Sequence, residues 1–225
     1  MRKQKLVVNY IYHVYNRGVE KRRIFLDNKD FTRFANDLIV FNDKKLVINP
    51  KQRLEDIQSG RHKRTPLVDI IAFCLMPNHY HLLLKQKVNN GITEFMRKLG
   101  AGYANYFNLK HQRVGALFQG KFKSVLINDE SQFLYIPFYI HLNPLDMIFP
   151  DWREKGVKDY KKAINFLDNY NWSSHATYRD SPNFPLILAK DAVFECFESE
   201  DDYSYKLSNF IKDFNFSEFS EFLLE

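Results

Sequence analysis

Apolar and polar residues alternate along this chain in a pattern that predicts an antiparallel sheet. Four segments have the alternation and the β-branched or aromatic content of strands: residues 10–15, 67–76, 79–86 and 122–127. Only Pro77 and Asn78 separate the second segment from the third, and such a short connection predicts a β-hairpin.

Helical spacing of apolar residues appears between these strands. It predicts helices over residues 28–41, over residues 92–107, and in the segment that follows residues 128 and 129. We expect Asn28 to cap the first helix, Asn128 or Asp129 to cap the third, and Asn143 with Pro144 to end or kink it. The order strand, helix, two strands, helix, strand, helix indicates an α+β fold with helices packed on an antiparallel sheet.

Two parts of the chain lie outside this pattern. Residues 42–66 are polar and charged without a clear period, so we predict a long basic loop there. We divide the chain into a main domain at 1–150, which includes this excursion, and a C-terminal helical extension at 151–225. The extension is predicted to pack on the core through aromatic residues: Phe194, Phe197, Tyr203, Phe210, Phe214 and Phe219.

Charge is distributed unevenly along the 225 residues. The formal net charge of +6 combines +15 over residues 1–125 with −9 over residues 126–225. A basic, aromatic-rich half suits a nucleic-acid backbone and unstacked bases, although a solvated surface has the same composition.

The chain shows no pattern of export or membrane insertion. Its longest apolar run, residues 70–76, is far shorter than the ~20 residues that span a bilayer. The two cysteines, Cys74 and Cys196, are far apart and do not indicate a disulfide framework. We therefore expect a cytoplasmic protein with no membrane partner.

His79 and His81 are the first candidates for chemistry. Residues two apart in a strand face the same side, so both imidazoles could bind one metal ion, while Tyr80 faces the opposite side. A helical segment stacks Tyr139 over Asn143, whose amide oxygen would suit Mg²⁺ or Mn²⁺. Each residue also has an ordinary alternative. The histidines could be polar residues on an exposed face of the sheet, Tyr139 could be a core residue, and Asn143 could be an N-cap before Pro144.

Five ordered blocks together resemble a known family. They are YHVYNRGVEKRRIFLDNKDFTRF (12–34), FCLMPNHYHLLLKQ (73–86), GALFQGKFKSVLI (115–127), YIHLNP (139–144) and NWSSHATY (171–178). Over about residues 8–180 the chain resembles the REP-associated tyrosine transposases, a single-tyrosine branch of the HUH endonucleases and of the IS200-like transposases.

The resemblance implies a ferredoxin-like palm and assigns roles to the candidates. His79, His81 and Asn143 match the residues that hold a divalent metal, Mg²⁺ or Mn²⁺, and Tyr139 matches the nucleophile. The implied activity is site-specific cleavage and strand transfer on single-stranded, hairpin-forming repeat DNA through a 5′-phosphotyrosine intermediate. The resemblance slightly favours a monomer over a dimer.

Positive residues around the matched blocks are the candidate DNA contacts: Arg17, Lys21, Arg22, Arg23, Lys110, Arg113, Lys121 and Lys123. Two alternatives stay open. Pro137, two residues before Tyr139, could misplace the nucleophile, which would leave a domesticated hairpin-binding protein without catalysis. An unrelated metal hydrolase could also use the histidine pair with a metal-bound water.

Overall fold

The computed structural model describes residues 5–181, 184–189 and 197–213. Four strands form one antiparallel sheet: β1 (Ile11–Arg17), β2 (Val68–Met76), β3 (His79–Gln86) and β4 (Lys123–Ile127). Their order across the sheet is β2, β3, β1, β4, so the β2–β3 hairpin lies beside the first strand of the chain. All four strands match the predicted segments to within two residues.

The helices are α1 (Asn28–Val40), α2 (Pro50–Gln58), α3 (Gly91–Lys110), α4 (Glu130–Leu142), α5 (Trp152–Lys155), α6 (Tyr160–Asp168), α7 (His175–Tyr178) and α8 (Glu200–Asp213). Short 3-10 turns span Val19–Lys21 and Asn143–Met147. No helix in the described ranges is both long and apolar enough to cross a membrane.

Helices cover both faces of the sheet. On one face Tyr80 of β3 packs against Phe34 of α1, whose ring also contacts Tyr103 of α3. The next strand residue, His81, points to the opposite face and contacts Tyr139 of α4, with ring centroids 5.8 Å apart. The α+β prediction is therefore confirmed, and the histidine face of the sheet is covered by α4.

The helix caps correct one prediction and decide another. Asp27, not Asn28, caps α1, because its carboxylate accepts a hydrogen bond from the Asp30 N–H and Asn28 already lies in the first turn. Asp129 is the cap of α4, where its carboxylate accepts from the Gln132 N–H at 2.8 Å.

The prediction of an irregular loop over residues 42–66 is wrong at its centre. Helix α2 forms there because Asn49 caps it, accepting from the Gln52 N–H, and Pro50 suits the first helical turn. Buried Asp43 accepts hydrogen bonds from Arg53 and His62 and so links α2 to both ends of the segment.

Part of the C-terminal extension packs on α4. Phe197, Tyr203 and Phe210 each contact Phe138, with ring centroids 5.1 to 5.4 Å apart. Three other aromatic residues predicted to join this packing, Phe194, Phe214 and Phe219, lie outside the described residues.

Candidate active site

His79 and His81 lie on the same face of β3, as the strand parity predicts. Their ring centroids are 5.0 Å apart and the rings are nearly perpendicular. Across the sheet, Arg17 of β1 pairs with His79 and Tyr15 pairs with His81. The two imidazoles therefore sit where β1 and β3 meet, at the end of the β2–β3 hairpin.

Hydrogen bonds to Nδ1 orient both rings. His79 Nδ1 donates to the side-chain oxygen of Asn78 at 2.7 Å, and His81 Nδ1 bonds His13 Nε2 at 2.8 Å. Metal-binding histidines commonly hold one ring nitrogen in such a bond and present the other to the ion. Nε2 is thus the nitrogen that each ring would offer to a metal.

His13 is a site residue that the sequence reasoning did not identify. It lies on β1, is buried, and stacks on the His81 ring with centroids 5.0 Å apart. The available signal was the second residue of the YHVYNRG segment, which shares its strand parity with Tyr15. Its meeting with His81 depends on the β1–β3 register, in which Tyr15 pairs with His81.

Tyr139 reaches these histidines from α4. Its ring lies edge-on to His81 at 5.8 Å and to His13 at 5.9 Å between centroids. The side chain is only 2% exposed. Pro137 lies inside α4, yet the helix continues through it to Leu142, so the proline does not end the helix before Tyr139.

Asn143 follows the last residue of α4 and is fully buried. Its amide nitrogen donates to the Tyr139 carbonyl at 2.8 Å, and its amide oxygen accepts from Arg153 Nη2 at 2.9 Å. The carboxamide thus bonds the backbone of the tyrosine helix on one side and a guanidinium on the other.

The donor set partly fits a divalent metal. Two imidazoles and one amide oxygen suit Mn²⁺ better than Mg²⁺, which prefers oxygen ligands. The amide oxygen of Asn143 has two lone pairs, so it could join a metal only while sharing that oxygen with Arg153. Among the described residues, no group of three His, Cys, Asp or Glu side chains could hold a metal ion.

A cavity of about 740 Å³ opens beside the histidine pair. His79, His81 and Asp146 contribute to its wall. Five of the predicted DNA contacts also line it: Arg17, Lys21, Arg23, Lys121 and Lys123. The cavity thus joins the histidine pair to a strongly basic surface.

The other three predicted DNA contacts lie elsewhere. Lys110 forms ion pairs with Asp27 and Asp30, and these bonds raise its pKa although burial acts in the opposite direction. Arg113 donates to the side chain of Asn108, and Arg22 lies 3.7 Å from Glu20. None of the three lines the cavity beside the histidines.

A buried polar network contacts α4 through His141, which does not line the cavity. His141 bonds Ser174 Oγ at 2.6 Å and the Tyr203 hydroxyl at 2.9 Å, and that hydroxyl also bonds His175 at 2.7 Å. Burial, with the nearby His175 imidazole, lowers the pKa of His141 well below its usual range. The NWSSHATY segment therefore holds the helix that carries Tyr139.

The fold and the site define an antiparallel α+β domain in which a histidine pair faces a helical tyrosine. Residues 38–143 match the model of the family described as "Transposase IS200 like". The match runs from α1 to the end of α4 and includes the histidine pair, Tyr139 and Asn143. This segment, slightly less than half of the chain, is similar to the IS200-like transposases.

Solved structures give more distant similarities. A REP-associated tyrosine transposase, solved bound to a REP hairpin, is 12% identical with a TM-score of 0.48, over 84% of this chain and 90% of that one. A candidate transposase from Deinococcus radiodurans R1 is 17% identical with a TM-score of 0.35, over 62% of this chain and 95% of that one. No curated protein matches the chain.

Proposed function

We propose that this protein is a metal-dependent endonuclease and strand transferase that acts on single-stranded, hairpin-forming repeat DNA through Tyr139. One observation supports the proposal most directly. The phenol ring of Tyr139 lies edge-on to His81 and His13, although α4 and the two strands are far apart in sequence. The match of residues 38–143 to the family model described as "Transposase IS200 like" supports the proposed reaction class.

The proposed cleavage exchanges one phosphodiester for another. The Tyr139 oxygen forms a bond to phosphorus, the phenol proton passes to solvent, and the bond from phosphorus to the 3′-oxygen breaks. The leaving 3′-oxygen takes a proton, and the 5′ end stays on the enzyme as a phosphotyrosine. When bound at His79, His81 and Asn143, Mg²⁺ or Mn²⁺ would supply Lewis-acid polarisation of the phosphate.

Rejoining reverses these steps with a different strand. A 3′-hydroxyl attacks the phosphotyrosine, loses its proton, and releases Tyr139 as a phenol. The number of phosphodiester bonds is the same before and after the exchange, so no nucleotide energy source is required.

The basic cavity is the proposed DNA-binding surface. Lysine and arginine side chains neutralise phosphates and release condensed counterions, which favours binding without regard to sequence. Lys123 also lies 5.9 Å from the Tyr15 ring centroid at the same wall, so a cation and an aromatic face are both available to a single strand.

A monomer acting in the cytoplasm is the form that we propose. Tyr139 meets the histidines of its own chain, so the site requires no residue from a second copy. Light scattering of the purified protein should therefore give the monomer mass of about 26.9 kDa. A dimer that persists on dilution would contradict this expectation.

A hairpin-binding protein without catalysis is the second candidate. It is favoured by the burial of Tyr139, which is 2% exposed, and by the bond that Arg153 makes to Asn143. The Tyr139 side chain would have to become more exposed before a phosphate reaches its phenol oxygen. Asn143 would have to share its amide oxygen with Arg153 in order to bind a metal. The two candidates predict the same DNA binding and differ only in covalent chemistry.

A denaturing gel with labelled hairpin-bearing single strands separates the candidates. Wild type, Tyr139→Phe and Tyr135→Phe are incubated with Mn²⁺ or Mg²⁺, with and without chelator. Tyr135 is the matched control because it lies one turn earlier on α4 and its side chain is 42% exposed. We expect a detergent-resistant adduct with wild type and Tyr135→Phe, and none with Tyr139→Phe or with chelator.

Other patterns on the gel would decide against the proposal. Tight hairpin binding with no adduct under any metal condition would favour the binding protein. DNA cleavage that persists in Tyr139→Phe without an adduct would instead indicate hydrolysis by a metal-bound water.

A further inference from the structure

Arg153 lies in α5, beyond the residues that match the family model, yet its guanidinium contacts several parts of the site. Nη2 donates to the Asn143 amide oxygen at 2.9 Å, and Nη1 pairs with the Asp146 carboxylate. The guanidinium carbon lies 5.8 Å from the centroid of the Tyr139 ring. One side chain of the extension thus touches the proposed nucleophile and a proposed metal ligand.

Asp146, which anchors this contact, is itself held by a second bond. The Asp146 carboxylate also accepts a hydrogen bond from the Trp152 indole N–H at 2.7 Å, and Trp152 is buried. The Arg153 guanidinium stacks over the Trp152 ring, and its own side chain is 15% exposed. The planar guanidinium of Arg153 is therefore held by Asp146 and Trp152 on one side and contacts Asn143 on the other.

We propose that Arg153 is a positioning residue for the tyrosine transfer reaction, holding the Asn143 carboxamide and the adjacent end of α4 in place. This inference rests on the proposed function. Asn143 bonds the Tyr139 carbonyl, so fixing its amide oxygen also limits rotation of the amide against the tyrosine helix. The extension would then complete the active site and not merely cover the core.

The geometry requires the two-nitrogen guanidinium of arginine and not only a positive charge. Two guanidinium nitrogens serve two acceptors at once, Asn143 and Asp146, which are three residues apart on the same 3-10 turn. A lysine ammonium is a point charge on a flexible stem and does not reproduce this planar arrangement. The positioning role therefore requires arginine, whereas a purely electrostatic role would accept lysine.

The test compares Arg153→Ala and Arg153→Lys with the control Lys155→Ala. The Lys155→Ala change removes a cation from the same short helix, but the Lys155 side chain is 62% exposed and pairs with Asp151. Three quantities are measured: the Kd for a hairpin-bearing single strand, the rate of adduct formation with saturating Mn²⁺, and the affinity for Mn²⁺ from the electron paramagnetic resonance of the free ion. Thermal melts establish that each variant is folded at the assay temperature.

We expect Arg153→Ala to lower the adduct rate by at least about tenfold and to weaken Mn²⁺ binding, because small displacements of reacting groups are costly. Its hairpin Kd should stay within about twofold of wild type, since the guanidinium does not line the basic cavity. Arg153→Lys should remain well below the wild-type rate, and Lys155→Ala should match wild type. Millimolar guanidinium, compared with equal sodium, should partly restore the adduct rate of Arg153→Ala.

Each other result counts against a definite claim. If wild type forms no adduct, the proposed function fails and this inference fails with it. If wild type forms the adduct and Arg153→Ala or Arg153→Lys equals it, the positioning role alone is wrong. Tighter Mn²⁺ binding by Arg153→Ala would mean that Arg153 withholds Asn143 from the metal, which also overturns the inference. If Arg153→Ala does not fold, the lysine variant decides.

Discussion

Replacing Tyr203 with phenylalanine should destabilise the protein through a single oxygen atom. The Tyr203 hydroxyl bonds His141 at 2.9 Å and His175 at 2.7 Å, and all three side chains are buried. Phenylalanine keeps the ring and nearly the same volume, so its packing against Phe138 is preserved. The change therefore isolates the hydrogen bonds that join α8 to α4 and α7.

The expected loss of stability follows from the two imidazole nitrogens that lose their hydrogen-bond partner. Each buried polar group that loses its hydrogen-bond partner costs about 1 to 3 kcal/mol, and this change affects one nitrogen on each of two imidazoles. Burial keeps the pKa of His141 well below its usual range, so protonation does not relieve the loss near neutral pH. We expect the free energy of unfolding to fall by roughly 2 to 4 kcal/mol.

Urea unfolding at neutral pH measures this difference, with Tyr205→Phe as the control. Tyr205 lies on the same helix and is 69% exposed, so its variant should stay within about 0.5 kcal/mol of wild type. Ser174→Ala should combine non-additively with Tyr203→Phe, because both hydroxyls bond His141. A Tyr203→Phe variant as stable as the control would refute the assigned role of the network.

Three further predictions concern charge, DNA and metal. Burial raises the pKa of Asp37 to about 7, so the native state binds the extra proton and stability falls as pH rises from about 4 to 7. Asp37→Asn should remove this part of the fall, which is roughly 3 kcal/mol between pH 5 and pH 8 in urea unfolding, and equal pH profiles would contradict it. Neutralising Lys121 and Lys123 together should reduce the salt slope of hairpin binding by about 1 to 2, and an unchanged slope would remove them from the footprint. His13→Ala should weaken Mn²⁺ binding by about tenfold in titrations followed by paramagnetic resonance, because His13 orients His81, and wild-type affinity would exclude that role.

Lys110→Ala is the matched control for the lysine pair. Its ammonium already pairs with Asp27 and Asp30, and it does not line the basic cavity. We therefore expect an unchanged salt slope, measured on the same DNA. This variant should lose stability instead, because Asp30 is buried and would lose a cation partner.

Local rules account for the parts of the site that the sequence could predict. Two residues connect β2 and β3, so their pairing is antiparallel and adjacent, and strand parity then places His79 and His81 on one face. The position of Tyr139 against them came from the resemblance of ordered blocks, since helical spacing alone does not say which face of a sheet a helix covers. Helix α2 was predictable from Asn49 and Pro50, and the high charge around it masked that signal.

The contacts that escaped prediction all depend on where distant segments meet. His13 bonds His81 only because β1 lies between β3 and β4, an order that alternation along a strand does not determine. Lys110 has the composition of a DNA contact, but the packing of α3 against α1 brings it to Asp27 and Asp30. Exposure and pairing, not sequence position, decide whether a lysine is available to phosphate.

Arg153 illustrates the same limit at the candidate active site. In the sequence it is one cation among several charged residues of a short segment, with Glu154 and Lys155 beside it. Its significance arises only when the 3-10 turn after α4 brings Asn143 and Asp146 within reach of one guanidinium. Because a planar fork fixes two acceptors at once, a residue beyond the segment that matches the family model can set the geometry of the proposed nucleophile helix. A comparison of arginine with lysine at this position therefore tests whether the extension belongs to the catalytic unit.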